Sequence, residues 1–156
     1  GEGAEEVITH LKSLTKTKRL ISPLMLQKVK NKSLKGIVTI TPNYKIGQIV
    51  STRKAYGTGL LRARESNPNV VGLDGDTKNS TFSITLKDKF PESFVECFIA
   101  EQNMVGVTEG LACRRKIAFC ATFATFFMRA ADQIRIAGIS ANTLKCVGSH
   151  SGCSIG

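Results

Sequence analysis

The sequence predicts an α/β domain in which a parallel sheet is covered by helices on both faces. Short apolar runs alternate with helical stretches of about 10–15 residues, which is typical of parallel strands joined by crossover helices. Polar side chains follow the apolar runs, and none of these runs approaches the ~20 residues that a membrane span needs. A chain of 156 residues is long enough to form one such domain with a sizeable core.

The first part of the chain predicts a helix and then a basic connecting segment. Residues 15–46 are rich in lysine and interrupted by Pro23 and Pro42, so we expect a linker there, with a short strand at residues 36–40. Residues 4–14 precede it and place their apolar side chains on one helical face: Val7, Ile8, Leu11 and Leu14.

The elements from Ser51 onward alternate in type. A helix over residues 52–65 begins with Ser51 or Thr52 as its cap. The apolar run 70–73 predicts a buried strand, and a loop containing Thr77, Asn79, Ser80 and Thr81 follows it. The expected elements after this loop are a strand at 94–99, a helix at 102–114, a strand at 117–121, a helix at 122–140 and a strand at 144–147.

Polar side chains follow four of the predicted strands. Parallel sheets bind their ligands at the carboxyl ends of the strands. The sequence therefore predicts a binding site at that edge, built from Asp74 and Asp76, Glu101, Thr122, and Ser149 with His150.

The charge and cysteine content exclude some classes of site. The net charge of +10 is concentrated in residues 1–50, which contribute +6. Lysines at 28, 30, 32 and 35 could bind nucleic acid or an acidic membrane, but no aromatic side chain lies between them, which favours a solvated linker. Five cysteines without Cys-x-x-Cys spacing and two histidines argue against a zinc site and favour reduced thiols. The acidic start lacks the pattern of a signal peptide, so we expect a cytoplasmic protein.

Five segments, in this order and spacing, resemble the pyrimidine-binding (Pyr) domain of transketolase, a thiamine-diphosphate enzyme. They are residues 51–57, 73–83, 94–104, 120–127 and 148–150. The resemblance is to the animal-type transketolases and transketolase-like proteins. It implies a thiamine-diphosphate-binding Pyr fold that is incomplete at its C-terminal end. It further implies that residues 1–14 end a preceding diphosphate-binding (PP) domain, that 15–46 form a linker, and that 47–156 are the N-terminal portion of the Pyr domain.

The resemblance implies transfer of a two-carbon ketol unit from a ketose phosphate to an aldose phosphate, in the pentose phosphate pathway. The family's site forms between the Pyr domain of one subunit and the PP domain of the other in a homodimer. The PP domain also holds Mg²⁺, and its metal motif is absent from this chain. The 156-residue chain alone is therefore expected to be inactive.

Glu101 is the candidate catalytic residue. By itself it is also explained as an acid at a helix start, stabilised by the helix dipole. The resemblance implies that it contacts the cofactor, hydrogen-bonding N1′ of the aminopyrimidine so that the thiazolium C2 loses its proton. Phe123 and Phe126 would line the aminopyrimidine pocket, although aromatic residues at this spacing are commonly core, as we expect for Phe127.

The resemblance also implies a substrate site. Arg53 and Ser80 would bind the phosphate of the sugar, since a guanidinium and a hydroxyl suit that group. His150 would contact the substrate's hydroxyls or carbonyl, and Asp76 would support the site through hydrogen bonds in its loop.

Three alternatives remain open from the sequence. The chain could be a non-catalytic transketolase-like interaction protein, or belong to another thiamine-diphosphate enzyme such as 1-deoxyxylulose-phosphate synthase or the β chain of a 2-oxo-acid dehydrogenase. The segment 74–83 favours transketolase over these enzymes. Binding of nucleic acid through residues 28–35 is the third alternative.

Overall fold

A computed structural model describes residues 2–14 and 44–152. The helices are α1 Glu2–Leu14, α2 Thr52–Ser66, α3 Lys78–Thr81, α4 Ile84–Lys89, α5 Glu101–Cys113 and α6 Ala131–Ile139, with short 3₁₀ helices at Pro91–Ser93 and Phe126–Ala130. The strands are β1 Val70–Asp74, β2 Phe94–Glu96, β3 Ile117–Phe123 and β4 Lys145–Ser149. The predicted strand at 36–40 and most of the expected linker lie outside the described residues.

The four strands form one parallel sheet in the order β2-β1-β3-β4. β1 lies in the middle, pairing with β2 on one side and with β3 on the other. All strands point the same way, so their carboxyl ends share one edge of the sheet. The predicted parallel α/β architecture is confirmed.

Two clusters of buried apolar side chains show that both faces of the sheet are covered. One cluster joins the sheet to α5 and the segment after β3, and consists of Leu73, Cys97, Met104, Val105, Ala118, Cys120, Phe127 and Ala130. The other joins the sheet to α2 and α4, and consists of Leu60, Val70 and Leu86. Since burial of apolar area is the main driving force of folding, these two layers fix the helices against the strands.

Helix α1 belongs to a different compact unit from the sheet. It forms where the periodicity predicts a helix, and its apolar residues Val7, Ile8, Leu11 and Leu14 are all exposed. Among the helices of residues 2–14 and 44–152, none combines the length and the apolar character needed to cross a membrane.

Two predicted elements next to the sheet edge were wrong in their bounds. β2 ends at Glu96 rather than at residue 99, and Phe98 takes a positive φ of 52°, which an extended strand does not allow. The helix predicted over 122–140 starts only at Ala131. The strand β3 continues instead through Thr122 and Phe123, because they pair with Gly148 and Ser149 of β4.

The segment after β1 is also more regular than the predicted loop. It contains α3 and α4, separated by Phe82 in the left-handed conformation (φ 63°). Hydrogen bonds to the buried carboxylate of Asp74 organise these short helices, and hydrophobic periodicity does not predict such an arrangement.

Candidate functional site

Glu101 is a buried carboxylate at the first residue of α5. Only 2% of the residue is exposed, and the short connection Cys97–Ala100 brings the chain from the end of β2 to this point. The position at the helix start agrees with the sequence analysis, except that a loop and not the strand itself delivers the glutamate. The helix dipole compensates part of the negative charge there.

The carboxylate of Glu101 is paired but not saturated. Its Oε2 lies 3.1 Å from Nη1 of Arg129, in an ion pair. Within residues 2–14 and 44–152 this buried oxygen accepts no hydrogen bond besides that ion pair. A buried acceptor without a hydrogen bond is costly unless a ligand supplies the donor.

Arg129 was missed by the sequence analysis. It lies in the 3₁₀ helix Phe126–Ala130, whose turn after β3 brings it to the start of α5. The sequence predicts an α-helix through this region, and in that geometry nothing indicates that Arg129 would pair with Glu101.

Two aromatic rings stack beside this segment. Phe123, the last residue of β3, and Phe126 have ring centroids 5.1 Å apart and planes inclined by 17°. Phe126 is 39% exposed, whereas Phe127 is buried in the core, as predicted. The exposed face of the pair could therefore receive a flat aromatic ligand, since stacking contributes of order 1 kcal/mol beyond area burial.

Thr122 adds a second unpaired polar group at the same edge. The residue is fully buried, and its Oγ1 has no hydrogen-bond partner in the described part of the chain. Gly75, which follows β1, lies against it, and a Cβ at that glycine would come within 3.2 Å of Oγ1. The absence of a side chain at Gly75 therefore permits this close approach of β1 to β3.

Asp74 behaves differently from Glu101. Its carboxylate is fully buried and accepts hydrogen bonds from the backbone N–H of Thr77 (2.6 Å) and from the hydroxyls of Thr77 (3.1 Å), Thr81 (2.7 Å) and Ser83 (2.8 Å). Burial raises the pKa of Asp74, and the hydrogen bonds from Thr81, Ser83 and Thr77 oppose that rise. All of the partners lie within nine residues, so Asp74 organises its own loop.

Asp76 makes fewer hydrogen bonds in this loop than Asp74 does. Asp76 is exposed, at a positive φ of 63°, and contacts Lys78 at 3.5 Å. Because Asp74 ends a strand while Asp76 lies beyond it in the turn, only the former points into the buried loop.

Arg53 and Ser80 are brought together, but through the backbone of Ser80. Nη1 of Arg53 donates a hydrogen bond to the carbonyl oxygen of Ser80 at 2.9 Å. The guanidinium also lies 5.8 Å from the centroid of the Phe82 ring. Arg53 therefore connects the start of α2 to the loop that follows β1.

Beside this contact lies a cavity of about 140 Å³. Its walls come from α2, α3 and β4: Thr52, Arg53, Tyr56, Thr81, Val147, Gly148 and Ser149. The buried hydroxyl of Tyr56 has no hydrogen-bond partner among the described residues, and burial raises its pKa. The cavity thus offers the cation of Arg53 to a polar ligand.

His150 stands at the end of β4 and connects the two halves of this edge. Its Nδ1 lies 2.9 Å from Oγ of Ser149, which lines the cavity, and its ring centroid lies 4.2 Å from that of Phe123. The backbone of His150 takes a positive φ of 51°, which turns the chain out of the sheet. Of the predicted site residues, Arg53 thereby contacts Ser80, and Phe123 contacts both Phe126 and His150.

No group of three or more His, Cys, Asp or Glu side chains that could hold a metal ion occurs within residues 2–14 and 44–152.

Comparison with known proteins identifies the domain. Residues 48–156 match the family described as "Transketolase, pyrimidine binding domain". The chain is 53% identical to transketolase of Rattus norvegicus over 116 residues, 74% of this chain and 19% of the relative. It is 55% identical to transketolase-like protein 2 of Mus musculus over 120 residues, or 76% and 19% of the two chains. Transketolase-like protein 1 of Macaca fascicularis is 44% identical, with 99% and 26% covered.

Solved structures show the same relationship. A split-gene transketolase, described as an inactive beta4 tetramer, is 37% identical with a TM-score of 0.53, over 62% of this chain and 33% of that one. A transketolase variant from Pichia stipitis has a TM-score of 0.63 at 20% identity, over 74% and 19% of the chains, and shows the fold alone. The chain spans about a fifth to a quarter of the length of the curated relatives it matches. It belongs to the transketolase family and carries the pyrimidine-binding domain of that family.

Proposed function

We propose that this chain supplies the pyrimidine half-site of a thiamine-diphosphate-dependent transketolase, with Glu101 as the residue that activates the cofactor. The observation that carries the proposal is the buried Glu101 carboxylate, whose Oε2 accepts no hydrogen bond among the described residues. Arg129 connects this carboxylate to the short helix that begins with Phe126.

The residues at this edge fit an aminopyrimidine ring. An unsaturated carboxylate oxygen suits a ring nitrogen that carries a proton, and the Phe123–Phe126 pair offers an aromatic face. When bound, thiamine diphosphate supplies the carbon nucleophile on which the two-carbon unit is carried. The protein's contribution is then to bind, to orient and to hold a proton.

Glu101 performs the proton-holding step. Its buried carboxylate accepts the hydrogen bond from the protonated ring nitrogen. Before the cofactor binds, Arg129 at 3.1 Å compensates the negative charge of the carboxylate. The aromatic pair holds the ring plane, and the buried surroundings exclude water that would compete for the carboxylate.

Arg53 and the cavity beside it receive the phosphate of the sugar substrate. The guanidinium has donors left after its single hydrogen bond to the Ser80 carbonyl, and Ser80 and His150 complete the substrate contacts. The diphosphate and Mg²⁺ would be held by the PP domain of a second subunit in a homodimer. Residues 1–14 would then end a PP domain, 15–46 link it to the Pyr domain, and the protein act on ketose and aldose phosphates in the cytoplasm.

A chimera tests this function directly. Residues 48–156 replace the corresponding segment of rat transketolase, which is 53% identical in this region. We expect the chimera to transfer a ketol unit from xylulose 5-phosphate to ribose 5-phosphate, and the 156-residue chain alone to be inactive. A folded, dimeric chimera without activity would overturn the proposal and favour a non-catalytic transketolase-like role.

A further inference from the structure

Cys120 and Cys146 face each other across the strands β3 and β4. They are register partners in the parallel ladder, and their Sγ atoms are 3.7 Å apart. Neighbouring strands lie about 4.7–4.9 Å apart, within the Cα separation of about 4.4–6.8 Å that disulfides span. Both side chains therefore lie on one face of the sheet, and only their torsions need to change for the sulfurs to bond.

The two thiols differ in accessibility. Cys120 is fully buried, beneath the layer of α5 and its core partners, whereas Cys146 is exposed on β4. In the part of the chain that the structure describes, β4 forms an edge of the sheet. A small reagent in solution can reach Cys146 directly, and among the described cysteines only Cys146 places its sulfur within contact distance of the Cys120 sulfur.

We propose that Cys120 and Cys146 form a modification site at which a hydroperoxide oxidises Cys146 and Cys120 then closes a disulfide. The site is separate from the residues assigned to cofactor and substrate, so it does not depend on the proposed function.

The chemistry balances in two steps. The Cys146 thiolate attacks the distal oxygen of the hydroperoxide, the O–O bond breaks, and the released alkoxide takes a proton to become an alcohol or water. Cys146 is then a sulfenic acid. The Cys120 sulfur attacks the Cys146 sulfur, the S–O bond breaks, and the leaving hydroxide takes the Cys120 proton to form water. Two thiols are oxidised by two electrons, and the peroxide is reduced by the same two.

The environment assigns the order of these steps. The hydrogen bond from Cys120 lowers the pKa of the Cys146 thiol, which favours the thiolate that a peroxide requires. The same interaction, together with burial, raises the pKa of Cys120. Once Cys146 becomes a neutral sulfenic acid, the negative neighbour that suppresses ionisation of Cys120 is gone, and Cys120 can act as the resolving thiol.

The 156-residue chain is treated with hydrogen peroxide, then alkylated, digested and mapped by mass spectrometry. We expect a peptide pair linked through Cys120 and Cys146, reversed by dithiothreitol, with Cys113 still alkylated. Linkage of Cys146 to Cys113 or Cys153 instead, or Cys146 driven to sulfinic acid with Cys120 free, would overturn the proposal.

Three variants separate the roles. Cys113→Ser changes the other exposed cysteine of the described residues; it is the matched control and should form the same link. Cys146→Ser should form no link and leave Cys120 unoxidised. In Cys120→Ser, Cys146 should accumulate as a sulfenic acid that dimedone traps. Should Cys120→Ser fold poorly, as judged by circular dichroism, the Cys146→Ser result decides alone: oxidation of Cys120 in that variant contradicts the order of steps.

Discussion

Two buried carboxylates at the sheet edge differ in the hydrogen bonds that they accept. Asp74, the last residue of β1, accepts four hydrogen bonds from its own loop. The buried Oε2 of Glu101, beyond the end of β2, has an ion pair with Arg129 and accepts no other hydrogen bond among the described residues. Both lie at the carboxyl ends of neighbouring strands, and both are at most 2% exposed.

The difference indicates which of these two carboxylates can accept a hydrogen bond from a ligand. A saturated carboxylate has no capacity left for a ligand and holds its loop in place. An unsaturated one leaves a desolvated acceptor whose cost is recovered when a ligand supplies the donor. Exposure alone, which is nearly equal for the two residues, would not distinguish them.

Replacing Asp74 should have the largest effect on stability. Asp74→Ala leaves a buried N–H and the hydroxyls of Thr81 and Ser83 without their acceptor, and each such group costs about 1–3 kcal/mol. We expect a loss of at least about 3 kcal/mol, measured by urea denaturation of the 156-residue chain. Asp76→Ala, in the same loop but exposed, is the control and should change stability by less than about 0.5 kcal/mol. Equal losses for the two variants would mean that Asp74 does not organise the loop.

Replacing Arg53 tests the substrate side of the edge. In the chimera, Arg53→Ala should raise KM for phosphorylated substrates about 10- to 150-fold, the equivalent of a lost charge-assisted contact of roughly 1.5–3 kcal/mol. The acceptor glycolaldehyde has no phosphate and should be nearly unaffected. Phe126→Ala should have the opposite effect. It should lower the affinity for thiamine diphosphate and leave the preference for phosphorylated over unphosphorylated acceptors unchanged. Similar losses on both acceptor types for Arg53→Ala would show that its bond to Ser80 is purely structural.

The ion pair of Arg129 should have a smaller effect. The guanidinium is 61% exposed, so its pairing with Glu101 should contribute about 1 kcal/mol. Arg129→Gln should lower the free energy of unfolding by that amount, measured by urea denaturation. In a Glu101→Gln background the same substitution should lower it much less, because the ion pair is already gone. A double-mutant cycle with no coupling between the two positions would remove Arg129 from the site.

The smallest expected effect is the pH dependence of stability that Asp74 contributes. Since burial raises its folded pKa above the ordinary value of 3.8, the folded state binds this proton more tightly than the unfolded chain. The contribution of Asp74 should therefore become more favourable as pH falls through the folded pKa towards 3.8. The stability of the parent relative to Asp74→Asn should rise over that range, as followed by urea denaturation at several pH values. A difference that falls on acidification would contradict the direction of the shift.

The sequence predicted the sheet, its parallel sense and the position of Glu101 at a helix start, because apolar runs and helical periodicity are local signals. It failed where tertiary pairing overrides local preference. Thr122 and Phe123 were assigned to a helix, yet they extend β3 because β4 lies beside them. Arg129 was not found for the same reason, since its contact depends on the turn that follows that extra length.

The role of the two aspartates was likewise beyond local reasoning. Asp74 and Asp76 are two residues apart and have the same chemistry, so the sequence offered no way to decide which one turns into the loop. The end of β1 at Asp74 and the left-handed backbone at Asp76 decide it. The carboxylate that a strand end buries is the one that organises the segment after it.

The exchange rate of the cofactor's C2 proton in the chimera tests the assignment of Glu101 most directly. Glu101→Gln keeps the shape but removes the proton affinity of the carboxylate, so exchange should slow by at least ~10²-fold. Glu109→Gln, on the same helix, serves as the control and should exchange at the parent rate. Stability of Glu101→Gln should stay within about 1 kcal/mol of the parent, because the interaction it loses is the ion pair with the exposed Arg129. Exchange at the parent rate in Glu101→Gln would contradict its role, and the unsaturated carboxylate would then need another ligand.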